Sequence, residues 1–233
     1  NSATIIDDNT ATVTVDAGQT LAEDGSAQGL NVTLNTAGGA TLENGLTVDL
    51  AAAAAVGTEA GDANFGALGN FTFAASSGDG TTNNSVTITP VDDTLVEGDE
   101  DADITPSGST LDGQVTYNAN SATIIDDNTA VVQVDAGQSV SEDGGAQAVT
   151  VRLVTAGDTL EQDLVISAAA AAAAGTEAGD ATFGALAGFT FGAGAGNNAT
   201  NTVDFTPTSD TLVEGNEDAT ITPSGSSVDG QVT

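Results

Sequence analysis

The sequence predicts an all-β fold made of two tandem antiparallel β-sandwiches arranged end to end. Two observations predict it. Short segments alternate apolar and polar residues with a period of two, and clusters of Gly, Asn and Asp separate them. The same pattern also occurs twice along the chain with a period of about 118 residues, which is the length of a domain and too long for a solenoid repeat.

Strand-like runs occupy corresponding places in the two copies. They lie at residues 13–15, 30–34, 46–50, 71–73 and 86–88, and again at 131–134, 149–153, 164–166, 189–191 and 203–205. Alanine runs at 51–55 and 168–174 follow the third run of each copy. Alanine favours helix intrinsically, but here it continues a β pattern. We therefore interpret both runs as strand continuations or an irregular turn, with a short helix as the alternative.

Identical segments indicate where each copy begins. Residues 1–10 recur as 120–129, 57–62 as 175–180, 93–98 as 210–215, and 104–108 as 221–225. We predict a first sandwich over 10–127 and a second over 128–233 that lacks its last strand. Residues 1–9 are predicted to be a strand that belongs to a preceding or neighbouring repeat.

The composition excludes several kinds of function. Asp and Glu number 34 against a single Lys or Arg, the formal net charge is −33, and His and Cys are absent. Such a chain cannot neutralise nucleic-acid phosphates and is repelled by anionic lipids. No apolar run is long enough to cross a membrane. The usual general bases and thiol nucleophiles are also missing, so we expect no nucleic-acid partner, no membrane insertion and no enzymatic activity.

Acidic residues gather at four places in the first copy, at 23–24, 59 with 62, 92–100, and 126–127. These places lie at the ends of predicted strands, and alternate strand ends of a sandwich meet at one pole. Carboxylates in contact repel each other strongly unless a cation lies between them. Calcium accepts six to eight oxygen ligands in irregular geometry. The clusters therefore favour calcium binding, with a solvated acidic surface as the alternative.

The run Asp92-Asp-Thr-Leu-Val-Glu-Gly-Asp-Glu100, followed by a β pattern and then Ile124-Ile-Asp-Asp127, resembles the Calx-beta family. The turn at residues 23–25 and the segment 57–62 with Phe65 are similar to further parts of the family pattern. The resemblance covers nearly all of both copies. It implies a seven-stranded immunoglobulin-like sandwich that binds calcium at one pole, in a family known from sodium/calcium exchangers, integrin β4 and long bacterial surface and adhesion proteins.

The resemblance also implies a set of calcium ligands. In the first copy these fall on Glu23, Asp92, Asp93, Glu97, Asp126 and Asp127, with either Glu59 or Asp62 as the central carboxylate. The residues retained in the second copy are Glu142, Glu177, Asp180, Asp210, Glu214 and Glu217. Ser209 stands where the first copy has Asp92, and Asn216 where it has Asp99. We therefore expect weaker calcium binding in the second copy.

The first residues of the chain predict an interaction between copies. If the second sandwich accepted residues 2–8 of another molecule as its missing strand, Ile5 and Ile6 would fill its core, with Ser2 and Thr4 on the same strand. Asp7 and Asp8 would then complete its calcium site. Strand addition of this kind builds fibres, because a head-to-tail contact does not close. The alternative is a segment of a longer covalent array.

Together these patterns predict a non-catalytic extracellular structural module of a cell-surface fibre. Bound calcium would stiffen it, and further copies of the same repeat would be its head-to-tail partners. Two alternatives remain. One is a ligand-binding adhesin segment of a long surface protein, whose ligand the sequence does not identify. The other is an acidic, salt-adapted surface-layer protein without specific calcium sites.

Overall fold

The computed structural model describes residues 2–177, 179–213 and 215–233. The regular structure of these residues consists of β-strands and short 3-10 turns, without an α-helix. The predicted all-β fold class is thereby confirmed. No helix in the described ranges has the length and apolar character needed to cross a bilayer.

The chain divides into two compact units. The first runs from the start of the described chain to Asp93 and resumes over Asp99–Asp127. The second consists of Asn128–Thr233 together with the short segment Thr94–Gly98. This segment belongs to the first sequence copy but to the second structural unit.

The strands are numbered along the chain. Those of the first unit are β1 (Ala11–Val15), β2 (Gln19–Ala22), β3 (Gln28–Gly29), β4 (Val32–Thr36), β5 (Leu46–Ala54), β6 (Gly66–Phe73), β7 (Thr81–Asn83), β8 (Thr87–Ile88), β10 (Glu100–Gly108), β11 (Val115–Asn118) and β12 (Asn120–Ile125). Those of the second unit are β9 (Leu95–Val96), β13 (Ala130–Val134), β14 (Gln147–Thr155), β15 (Thr159–Leu160), β16 (Leu164–Ala172), β17 (Gly184–Phe191), β18 (Thr200–Phe205) and β19 (Ala219–Gly225).

Two sheets form the first unit, with strand orders β11-β1-β4-β7 and β2-β12-β10-β5-β6, beside the short pair β3-β8. Most neighbours are antiparallel, as predicted. Two pairs are parallel instead, β1 with β11 and β2 with β12. Consecutive strands cross between the sheets here, because β1 and β2 lie in different sheets, as do β11 and β12. The second unit contains the orders β13-β14-β18 and β17-β16-β19 and the parallel pair β15-β9.

The alanine runs continue the strands that precede them, as interpreted from the sequence. In β5 the buried residues alternate with exposed ones from Leu46 through Ala52. In β16 the same alternation runs from Leu164 through Ala170. Successive strand residues point to opposite faces, so every second alanine packs inward against the core. Antiparallel pairing with β10 and β19 holds the two runs in place.

Candidate metal centre

The parallel pairing of β2 with β12 brings three acidic residues together. The register places Leu21 opposite Ile124 and Ala22 opposite Ile125. Carboxyl ends of parallel strands meet at the same edge of a sheet, so the residues that follow these strands become neighbours. Glu23 follows β2, and Asp126 and Asp127 follow β12.

One carboxylate oxygen from each of Glu23, Asp126 and Asp127 lies within 4.8 Å of the other two. Glu23 and Asp126 are only 3% and 4% exposed, whereas Asp127 is exposed. Water therefore screens little of the repulsion between the first two carboxylates. We refer to these three residues as the polar cluster.

Backbone hydrogen bonds hold the polar cluster in place. The backbone amide of Asp93 donates to Oε1 of Glu23 at 3.0 Å, and carboxylate oxygens of the two residues lie within 4.8 Å. The Glu23 amide donates to the carbonyl of Ile125 at 3.2 Å. The Asp126 amide donates to Oδ1 of Asp99 at 3.3 Å. Five acidic side chains from three separated parts of the chain (Glu23, Asp93 and Asp99, and Asp126 and Asp127) are thus held at one end of the first unit.

The environment of Glu23 opposes its ionisation. The pKa of Glu23 is raised from 4.5 to about 7. Burial is the largest cause, the hydrogen bond from the Asp93 amide acts in the opposite direction, and the negative charges of Asp93, Asp126 and Asp127 add to the rise. Protonation of Glu23 or binding of a cation would relieve the repulsion between these carboxylates. The polar cluster therefore has the electrostatic character of a cation-binding site.

A second acidic pair lies in the same unit. Asp62 is buried, and one of its oxygens lies within 4.8 Å of an oxygen of Glu100 at the start of β10. Its Oδ2 atom is buried and has no hydrogen-bond partner among the described residues. Glu59, the other candidate for the central carboxylate, is exposed. The structure therefore places Asp62, and not Glu59, in a buried acidic environment.

Two further expected ligands of the first copy have different surroundings. Asp92 is exposed and lies outside the groups of converging carboxylates found among the described residues. Glu97 is buried and lies on Thr94–Gly98, the segment that groups with the second unit.

The corresponding residues of the second unit are more dispersed. Glu142 accepts a hydrogen bond from the Asp210 amide at 2.7 Å, the counterpart of the bond between Glu23 and Asp93. Both residues are exposed. Asp180 is half-buried and accepts a hydrogen bond from the Glu177 amide. No group of three converging carboxylates occurs among the described residues of this unit. Glu214 lies outside the described residues. The expected weaker calcium binding of this unit stays a prediction.

The first residues of the chain are also exposed. Asp7 accepts hydrogen bonds from the backbone amide and the side chain of Asn9, and Asp8 faces solvent. Ser2 and Thr4 are exposed as well, together with Ile5 and Ile6. Residues 2–10 form no strand in this chain.

Sequence reasoning left out two residues that the structure places near these sites. Glu100 lies beside Asp62, and Asp99 accepts the hydrogen bond from the Asp126 amide. Both belong to the acidic run 92–100. The sequence therefore indicated the segment as a whole, but it did not indicate which of its residues lie near the site. The pairing of β10 with β12, which sets Glu100 opposite Ile124, is what brings this end of the run to the site.

Comparisons with known proteins give only distant similarities. No family model matches the chain, and no curated protein matches it. Among solved structures, CBD12 of CALX1.2 is similar with a TM-score of 0.40 and 16% identity, covering 84% of this chain and 76% of that chain. The calcium binding domain CBD12 of CALX1.1 is similar with a TM-score of 0.39 and 15% identity, covering 91% and 80%.

A red sea bream transglutaminase is also similar, with a TM-score of 0.34 and 11% identity, covering 98% of this chain and 30% of that chain. At such low similarity, none of these structures assigns a function to this chain.

Proposed function

We propose that the chain is a calcium-binding β-sandwich module and that its first unit binds calcium at the polar cluster. The observation that carries this proposal is the convergence of Glu23, Asp126 and Asp127 within 4.8 Å, two of them buried. Like charges at this distance in a poorly hydrated place need a counter-charge.

The chain itself offers almost no counter-charge. Its only basic side chain is Arg152, which lies in the second unit and forms an ion pair with Asp135 at 2.6 Å. No lysine or arginine is therefore left to neutralise the polar cluster, and a proton or a metal ion must do so. The buried Oδ2 of Asp62, which has no hydrogen-bond partner among the described residues, is a further potential oxygen ligand in the same unit.

The donor set fits a hard cation. Every side chain in the polar cluster supplies oxygen, and nitrogen and sulfur ligands are absent because the sequence contains no His or Cys. Calcium accepts six to eight oxygens and tolerates irregular geometry, whereas magnesium demands near-octahedral coordination. Ligands contributed by separate loops, as here, favour calcium. Glu23, Asp126 and Asp127 would hold the ion, and Asp93 would add a carboxylate beside Glu23.

Calcium is expected to raise the thermal stability of the first unit. A ligand that binds only the folded state stabilises it by about 2.7 kcal/mol at 100 times its dissociation constant, which corresponds to roughly 10 °C in the midpoint of a small domain. Calorimetric melting in calcium and in EGTA measures this shift. Magnesium chloride and potassium chloride at matched ionic strength are the controls. Equal midpoints in all four solutions would exclude a specific calcium site, and an equal rise in every salt would indicate general salt stabilisation.

The finer part of the proposal is an extracellular structural role with head-to-tail assembly by residues 2–8. Support comes from comparing identical sequences. In β12, Ile124 is 3% exposed, but its counterpart Ile5 is 96% exposed. On the receiving side, β10 lies between β5 and β12, whereas β19 pairs only with β16 among the described strands. Residues 2–8 therefore match a free edge of the second unit of another copy.

A peptide of residues 2–8 is expected to bind the intact chain. Fluorescence anisotropy of the labelled peptide measures this binding, and a peptide with the Ile5→Asp substitution is the matched control, because it keeps the backbone donors but cannot fill the apolar core. Tight, saturable binding of the first peptide alone supports strand donation. If the two peptides bind equally, or neither binds, residues 2–8 are not a donor strand.

A further inference from the structure

The segment Thr94–Gly98 is an integral part of the second unit. Its strand β9 pairs in parallel with β15, with Leu95 opposite Thr159 and Val96 opposite Leu160. The Thr159 amide donates to the carbonyl of Thr94 at 2.9 Å, and the Glu161 amide donates to the carbonyl of Val96 at 3.3 Å. Val96 is 2% exposed and belongs to the core of this unit.

The same sequence occurs in the second copy, where its described residues have a different environment. Residues 210–215 are identical to 93–98. Leu212 is 65% exposed, and Val213, the counterpart of Val96, is fully exposed. A Cβ atom built on Gly98 would lie 2.7 Å from Oδ2 of Asp229, but one built on Gly215 would have no neighbour within 4 Å among the described residues. Leu212 and Val213 are therefore exposed apolar side chains, whereas their counterparts Leu95 and Val96 pair with β15.

A matching edge exists in the first unit. Residues 41–43 and 159–161 both read Thr-Leu-Glu, and Thr41 bridges to Gly78 as Thr159 bridges to Gly196. The amides of Thr159 and Glu161 donate to β9, whereas those of Thr41 and Glu43 have no acceptor among the described residues. The backbone amides of Thr41 and Glu43 are thus the counterparts of the two amides that donate to β9 in the second unit.

An apolar side chain of the first unit is also more exposed than its counterpart in the second unit. Val228 packs half-buried against the core cluster that contains Val96 and Leu160. Its counterpart in the first unit, Leu111, follows β10 just as Val228 follows β19, and it is 48% exposed. The difference is in the direction expected if the apolar segment at 94–98 covers the edge of the second unit and no described residue covers that of the first.

We propose that residues 211–213 of one molecule dock on residues 41–43 of a second copy of this chain. By the register of β9 and β15, Leu212 would lie opposite Thr41 and Val213 opposite Leu42. The carbonyls of Thr211 and Val213 would accept hydrogen bonds from the amides of Thr41 and Glu43. This is strand addition at a sheet edge by a short parallel segment.

The order of the two units along the chain favours a second copy of the chain as the partner at residues 41–43. The segment at 94–98 docks on the unit that follows it in the chain, whereas residues 41–43 belong to the unit that precedes 211–213. Docking on the first unit of another molecule keeps the arrangement seen for 94–98, in which the segment pairs with a unit other than the one that precedes it in the chain. Such a head-to-tail contact does not close on itself and generates an open chain of molecules. It uses neither the polar cluster nor residues 2–8.

Cysteine crosslinking tests this contact directly, because the sequence contains no cysteine. Facing residues of paired strands have Cα atoms about 5 Å apart, within the range that a disulfide bridges. Chains carrying Thr41→Cys and chains carrying Leu212→Cys are mixed and oxidised, so that only an intermolecular disulfide can join the two positions. The matched control mixes Leu212→Cys with Val56→Cys, another fully exposed residue of the first unit. Moderate salt screens the repulsion between the acidic chains.

We expect the Thr41 and Leu212 pair to form the mixed dimer at least about 10-fold faster than the control pair, because an encounter held by the strand contact orients the two thiols. The intrachain pair Leu95→Cys with Thr159→Cys should form a disulfide without dimers and calibrates the geometry. Equal rates for the two mixtures would overturn the proposal. Running the mixtures in EGTA, and again with Ile5→Asp in both chains, keeps this result separate from the fate of the calcium site and of the donor strand.

Discussion

Replacing Glu23 with glutamine is expected to weaken calcium binding by the first unit about 100-fold or more, because a ligand carboxylate matters at least as much as the outer-shell groups whose loss costs 10–100-fold. Glutamine keeps the shape of the side chain and can still accept the hydrogen bond from the Asp93 amide. The substitution removes the charge and leaves the local structure intact. Isothermal titration with calcium measures the effect.

Glu142→Gln is the matched control. Glu142 accepts the corresponding hydrogen bond from the Asp210 amide, but it is exposed and outside any group of three converging carboxylates among the described residues. Its replacement should change the affinity of the first unit by less than about 2-fold, as expected for an exposed charge. If the two variants lose calcium affinity equally, or neither does, the polar cluster is not the site.

The same substitution should change how the metal-free protein responds to pH. The folded-state pKa of Glu23 is raised to about 7 from 4.5. Between these values the folded state binds a proton that the unfolded state has lost, so this group makes the free energy of unfolding fall as pH rises from about 4.5 to 7. Above pH 7 its full destabilising effect is present. In EGTA, Glu23→Gln should therefore flatten this fall and stabilise the protein at pH 8, by about 2 kcal/mol.

Replacing Ile124 with alanine is expected to destabilise the first unit by about 3 kcal/mol, the usual cost of removing a large buried aliphatic side chain. Ile124 is almost fully buried in the core between the two sheets. Chemical denaturation of the intact chain measures this loss.

Ile5→Ala is the control, because residues 1–10 and 120–129 have the same sequence. Ile5 is almost fully exposed, and its replacement should change stability by less than about 0.5 kcal/mol at concentrations where the protein is monomeric. Equal losses for the two variants would contradict the assignment of β12 as the last strand of the first unit.

The strands and the repeat could be predicted from the sequence because they depend on local pattern. Alternation within 46–50 and 164–166 marked β5 and β16, and the identical segments marked the two copies. The alanine runs were ambiguous from propensity alone, since alanine prefers helix. Pairing of these runs with β10 and β19, which lie far away in sequence, decides the outcome in favour of strand.

The site was predictable only as a set of acidic segments. Glu23 and Asp126 become neighbours through the parallel register of β2 with β12, which no local pattern encodes. Asp62 and Glu59 are three residues apart and chemically similar, so their different burial depends on tertiary packing. Position in the fold, and not residue type, separates the converging carboxylates from the solvated ones.

The structural role of residues 94–98 could not be predicted either. Identical residues at 93–98 and 210–215 have opposite surroundings, since Val96 is buried and Val213 is exposed. A sequence that is the same in both places cannot predict this difference.

Anomalous diffraction from crystals grown with calcium tests the central claim most directly. A peak bonded to carboxylate oxygens of Glu23, Asp126 and Asp127 at about 2.3–2.6 Å, the usual calcium–oxygen distance, is the result we expect. Crystals of Glu23→Gln grown in parallel should lose this peak. Wild-type crystals at saturating calcium without a peak at the polar cluster would contradict the account.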